Sequence, residues 1–244
     1  MWQALREQLS PEGVEIVTVG LDTKGVEGCR TFIEAAAPQH PALIDQFHVM
    51  ANLFGVINIP SSIWIDEEGM IVRPAEVAPA PPLDTSPSLP ELPPGTPQRF
   101  LEIMQEARNI RDDAKPYHAA LLDWVEKGSE SQYALSPDQV IARSRPRDAG
   151  IAQGHAHFEI AAYLESLGEH VAAIRHFREA HRLVPDSWTF RRQAWSLEGD
   201  ETTPFGRFWQ GPAESAAEQW PYEGDWLSDI RAVGAENYNE PWTA

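Results

Sequence analysis

The sequence predicts an α/β unit followed by an all-α region, and three observations predict it. Residues 14 to 22, VEIVTVGLD, alternate and are rich in β-branched side chains, which reads as a strand. Prolines at 74, 79, 81, 82, 87, 90, 93, 94 and 97 exclude helix and sheet interior over that stretch. Beyond it, apolar residues recur at helical spacing. The expected divisions are an α/β unit over residues 1–73, a Pro-rich linker over 74–97 and a helical region over 98–244. For the linker, a semi-rigid spacer with polyproline character and a strip for a proline-reading partner both stay open.

In the first unit, WQALREQL reads as an amphipathic helix with Trp2, Leu5 and Leu9 on one face, stopped at Ser10-Pro11. Strand 14 to 22 follows, bounded by Gly13 and Asp22. A helix is predicted over 26 to 37, ended by Pro38. A second is predicted over PALIDQFHVMANLFGV, from Leu43, Phe47, Met50 and Phe54 at helical spacing and Gly55 as its stop. Pro60 stands at the head of an apolar strand over 61 to 65, where a residue without a backbone donor is tolerated. The DEEG turn, with Gly69 free to take positive φ, leads to a partner strand over 70 to 73.

The helical region opens with RFLEIMQEARNIRDDA and PYHAALLDWVEKG, the latter stopped by Gly128. Ser136 followed by Pro137 is an N-cap signal for a short helix. Over 154 to 187, Ala161, Leu164, Gly168, Ala173, Phe177, Ala180 and Pro185 stand at the spacings of one tetratricopeptide repeat, which this segment resembles. Small residues let two antiparallel helices approach, Gly168 turns the chain, Phe177 fills the hole and Pro185 ends the second helix. SWTFRRQAWSL reads as one further helix. The tail over 203–244 carries Phe205, Phe208, Trp209, Trp220, Tyr222, Trp226, Tyr238 and Trp242. It is expected as an irregular strap plugging rings into the helical layer, with an aromatic platform for a ligand as the alternative.

Lys plus Arg is 19 against 37 for Asp plus Glu, a net charge of −18, which disfavours nucleic acid and anionic membrane surfaces as partners. No apolar run is long enough for a membrane span and the N-terminus has no secretory pattern, so a cytoplasmic location is expected. The eight histidines contain no pair four apart, so no metal and no cofactor is expected. Cys29 is the single cysteine, which excludes an internal disulfide. Its place near a helix N-terminus beside Arg30 favours a thiolate, while Glu27 opposes. A redox thiol and an inert core residue both stay open for it.

The ordered set Asp22, Pro41 to Asp45, Phe54-Gly55-Val56, Pro60, Ile65-Asp66 and Gly69 resembles the redoxin group of the thioredoxin fold, the TlpA-like and alkyl hydroperoxide reductase/thiol-specific antioxidant relatives. More loosely, DWVEKGSESQYALS, WTFRRQAW and WPYEGDW resemble helical extensions of bacterial redoxin-domain proteins. The first resemblance implies a thioredoxin-like domain, a thiol–disulfide oxidoreductase or peroxide-reducing activity, and a thiol protein or peroxide as substrate with a reductant as partner. It implies that Pro60 is a cis-proline and that the backbone of Ile59 pairs with an extended substrate. It also implies a first strand and a Cys-x-x-Cys (or selenocysteine) segment ahead of helix 2–9, which this chain does not show. Met1 is therefore expected to be an internal start, and the chain to be catalytically incomplete. Without that central strand, a gap of about 9.6 Å is expected beside strand 14–22. The alternative function is a non-enzymatic adaptor that binds a protein partner through the helical region.

Overall fold

Four short strands and ten α-helices form among the residues that the computed structural model describes, which are 2–78, 96–144, 147–198, 211–212 and 220–244. The chain is mixed α/β. Helix α1 (Trp2–Leu9) turns Leu5 and Leu9 inward, as the periodicity predicts. Strand β1 is only Thr18–Leu21, because the residues before it pack elsewhere: Val14 and Ile16 lie against the cluster that holds Leu5 and Leu9. Helix α2 (Val26–Ala36) ends at Ala37, in the left-handed region at φ 42, just ahead of Pro38.

The helix expected over 41 to 54 is corrected. Ala42–Asp45 is strand β2, paired in parallel with β1 in the register Thr18↔Ala42 to Leu21↔Asp45. Only Val49–Phe54 is helical, as α3. The apolar spacing of Leu43, Phe47, Met50 and Phe54 mimics a helix, but the ladder to β1 satisfies the backbone of 42–45 instead. Asp45 then starts α3, its two carboxylate oxygens accepting from the Val49 and Ala51 amides at 2.8 and 3.0 Å.

Strands β3 (Ser61–Ile65) and β4 (Ile71–Val77) form the hairpin, with Gly69 at φ 78 in the turn. β4 runs past the expected end at 73, and Pro74 falls in the register shift between Ser62↔Glu76 and Trp64↔Arg73, where its missing donor costs no ladder bond. Of the expected linker 74–97, residues 79–95 lie outside the described residues.

The helical region follows as α4 (Gln98–Arg108), α5 (Ala114–Lys127), α6 (Pro137–Arg143), α7 (Ala149–Ser166), α8 (His170–Leu183), α9 (Trp188–Glu198) and α10 (Trp226–Val233). Ser136 caps α6 reciprocally with Gln139. α7 and α8 form the expected hairpin: Gly168 turns at φ 77, and Ala161, Ala173, Phe177 and Ala180 are fully buried. The tail is corrected in part. Trp226 begins a helix with its own capping box at Asp225, and Tyr222, Trp226 and Tyr238 belong to the main core. Phe205, Phe208 and Trp209 lie outside the described residues.

Among the described residues two apolar clusters form the core. The larger joins α4, α7, α8, α9, α10 and the tail around Phe158, Phe177, Trp195 and Trp226. The smaller joins Leu5 and Leu9 of α1, Trp64 of β3 and Ala78 to Tyr117, Ala120 and Leu121 of α5. The second cluster crosses the expected boundary at 73–97, so the α/β unit shares its core with the helical region. Arg73, fully buried, extends the link: it pairs with Glu76, donates to the carbonyls of Tyr133 and Thr243, and lies over the Trp64 and Trp242 rings.

A cleft beside an unpaired strand edge

The two sheets are separate. β1 pairs only with β2 and β3 only with β4 among the described residues. The Thr18 amide donates to the Pro41 carbonyl at 3.0 Å, so Thr18 and Gly20 direct their backbone groups toward β2. By the alternation of a strand, Val19 and Leu21 direct theirs the other way, where no strand receives them. That edge borders a cleft of about 510 Å³ lined by Thr18 to Asp22, Cys29, Phe32, His48, Ile59 and, from α9, Thr189, Arg192, Gln193 and Ser196.

Local chemistry builds the α2 wall. The Asp22 carboxylate accepts from the Lys24 amide at 2.8 Å and the Asp22 carbonyl from the Gly25 amide at 2.8 Å, a tight turn into the helix. Gly28 makes room for that carboxylate, since a Cβ there would stand 2.3 Å from Asp22. Gly20 likewise leaves space for the Cys29 sulfur, which a Cβ would approach to 3.0 Å. The Thr23 amide donates to Gln193 Oε1 at 3.1 Å, tying the turn to α9.

Cys29 is 8% exposed. Burial, and secondarily the charge of Asp22, push its thiol pKa up. Burial thus acts against the helix end and Arg30 and favours the thiol over the thiolate.

The opposite wall is the loop before β3. The Ile59–Pro60 peptide is cis. Asn58 holds this loop to the C-terminal segment, donating to the Tyr238 carbonyl at 3.1 Å while its Oδ1 accepts from the Ile59 amide at 2.9 Å. The Ile59 amide is therefore engaged locally. Of the residues expected at a site, Cys29 and Ile59 line one cleft, whereas Pro60 is exposed at its margin and is not part of the lining.

His48 completes the cleft, 2% exposed and in the left-handed region at φ 55. Among the described residues neither ring nitrogen makes a well-formed hydrogen bond, although the Gln193 side chain stands beside the ring. Burial holds its pKa down to about 4, so it is neutral, and its ring packs on Phe158 at 4.6 Å. Nothing in the local sequence marks His48 or the α9 residues for this place. They arrive through the fold, Gln193 from 170 positions beyond Thr23. The result is an apolar slot with an open backbone edge and a buried imidazole. Such a slot suits an extended chain more than a charged metabolite. Among the described residues, no group of three His, Cys, Asp or Glu is placed to hold a metal ion, and no helix is long and apolar enough to cross a membrane. No protein-family model, no curated protein and no solved structure matches the chain.

Proposed function

We propose that the chain is the substrate-holding part of a redoxin-type thiol–disulfide oxidoreductase with a thioredoxin-like N-terminal unit, and that it receives an extended polypeptide in the cleft between β1 and Ile59. The observation that supports this reading is the unpaired edge at Val19 and Leu21, which borders the same cleft as Ile59. An added strand would satisfy the free backbone groups of that edge, and the apolar walls at Leu21, Phe32 and Leu43 would take alternate side chains. Burial disfavours the thiolate of Cys29, and a single cysteine cannot complete an intramolecular dithiol cycle. The chain alone is accordingly expected to reduce insulin no faster than the dithiol donor in the assay.

The binding half is tested by amide NMR with a disulfide-containing apolar peptide. Its addition is expected to protect the Val19 and Leu21 amides from exchange, while Thr18 and Gly20, already bonded to β2, change little. Val19→Pro removes one edge donor without touching the ladder to β2, and should abolish the effect. Unchanged exchange at Val19 and Leu21 in saturating peptide, or equal binding by Val19→Pro, refutes the reading. A second reading, the protein-interaction adaptor, is favoured by Ile160, Tyr163, Leu167 and Val171, exposed large apolar residues around the α7–α8 turn. A partner that still binds after Tyr163→Ser and Leu167→Ser would eliminate it.

A further inference from the structure

α8 carries Arg175, Arg178 and Arg182 at spacings of three and four, so the three share one helical face. With Arg191 of α9 they surround a cavity of about 600 Å³ that is also lined by His181, Trp195, Tyr222, Glu179, Glu223 and Asp229. Four of the 19 basic residues thus meet at one place in a chain of net charge −18, against its overall balance.

Two of these arginines are firmly paired: Arg191 with Asp229 at 2.8 Å, and Arg182 with Glu179. Among the described residues Arg178 forms an ion pair only with Glu223, at 3.8 Å, whose side chain is 93% exposed. Arg175 makes no ion pair among the described residues. Two guanidinium groups are therefore left largely uncommitted.

The second observation is independent of charge. Trp195 is 1% exposed, lines the cavity, and its indole N–H has no acceptor among the described residues. An indole nitrogen can only donate, and a buried donor without a partner is costly. His181 beside it also has a ring nitrogen, Nε2, without a hydrogen-bond partner among the described residues. Its ring lies 5.3 Å from Tyr222 and 6.4 Å from Trp195.

We propose that this cavity binds a small ligand carrying an oxyanion next to a flat apolar body. Arg175 and Arg178 engage the oxyanion, whose paired acceptors match a guanidinium fork. The Trp195 N–H donates to an acceptor on the ligand, and the Tyr222 and His181 rings border its body. Phosphate and carboxylate share this chemistry. The site is separate from the β1 cleft: Thr189, Arg192, Gln193 and Ser196 of α9 line that cleft, and Arg191 and Trp195 line this cavity.

The test is an NMR titration of the ¹⁵N-labelled full chain with phenyl phosphate, benzoate and inorganic phosphate. The indole N–H resonance of Trp195, assigned by its loss in Trp195→Phe, is expected to move with phenyl phosphate, benzoate or both, and the tighter ligand identifies the preferred oxyanion. Combining Arg175→Gln with Arg178→Gln, both on the surface, is expected to weaken binding about tenfold or more. Arg30→Gln on α2 should leave it unchanged. A Trp195 resonance unmoved by any ligand at millimolar concentration overturns the proposal. So does equal weakening by Arg30→Gln, and so does a response to inorganic phosphate alone, which marks an adventitious ion only.

Discussion

The indole N–H of Trp64 in β3 donates to the hydroxyl of Tyr117 in α5 over 3.1 Å, and the same hydroxyl lies 2.6 Å from Ser62 Oγ. Both rings are buried, so this contact between the α/β unit and the helical region has no water to replace it. Tyr117→Phe keeps the packing and orphans the Trp64 donor, at an expected cost of about 1–3 kcal/mol. Urea unfolding should show a lower midpoint with an unchanged slope. A second transition, seen in Trp64 fluorescence only, would indicate that the two parts unfold separately.

Arg73 is the charged group of the same region, fully buried and tied to Glu76, Tyr133 and Thr243. Arg73→Met roughly preserves volume and leaves the Glu76 carboxylate only the Trp242 indole as donor among the described residues, for which about 3–5 kcal/mol is expected. The Thr243 carbonyl loses its 2.6 Å donor and keeps only the 3.3 Å bond from Arg143, so the C-terminal residues should become more sensitive to carboxypeptidase. A variant as stable as the parent, with the tail still resistant, would contradict this.

Gly154 on α7 tests the close approach of the helical hairpin. A Cβ there would stand 2.3 Å from Val184 Cγ2 and 3.2 Å from Leu183 Cβ. Gly154→Ala is helix-favouring by about 1 kcal/mol on propensity, but overpacking of about 1–3 kcal/mol should outweigh that gain. Thermal unfolding should therefore show a net loss of stability. An exposed glycine in a helix would give the opposite sign.

Three histidines set the acid limit of stability. Burial lowers the pKa of His48, His155 and His181 to about 4 each, with Arg147 adding to the effect at His155 and Arg191 at His181. The unfolded chain takes up these protons near pH 6.5, well before the folded chain does. Stability is therefore expected to fall as pH drops from about 6.5 toward 4. Each imidazole accounts for roughly 2 kcal/mol by pH 5. His170 works in the other direction. Burial, the largest single influence, opposes its charge, yet Glu165 and Glu198 on either side together raise its pKa. Its support is full below about pH 6.5 and fades as pH rises through the raised value. Chemical denaturation from pH 4.5 to 8.5 should show the steep acid loss. His48→Phe should reduce the loss by about a third, and His170→Gln should be destabilising at pH 6 but close to neutral at pH 8.5.

Much of this chain is legible from local pattern. The amphipathic face of α1, the Ser136 cap, the Gly69 turn and the α7–α8 hairpin follow from spacing and from residues that only certain backbones accommodate. Residues 41–54 were not legible, because Leu43 to Phe54 fits a helix as well as a strand and a turn. Only the partner edge of β1 decides between them. The site divides the same way. Cys29 near a helix start and Ile59 beside Pro60 can be read from the sequence, but the sign of the Cys29 shift cannot. That sign depends on burial against β1 and on Asp22, both supplied by the fold.

By itself the sequence determined most helical and extended segments outside 41–54 and the tail, where the chain turns at Gly69 and Gly168, and that one thiol and a large negative charge are available. Tertiary structure alone decided that β1 keeps an open edge and that His48 and α9 close a cleft beside it. It also decided that four arginines of an acidic chain gather around the Trp195 indole. Local propensity acts over a few residues, whereas burial, pairing and electrostatic environment arise from groups as far apart as Thr23 and Gln193.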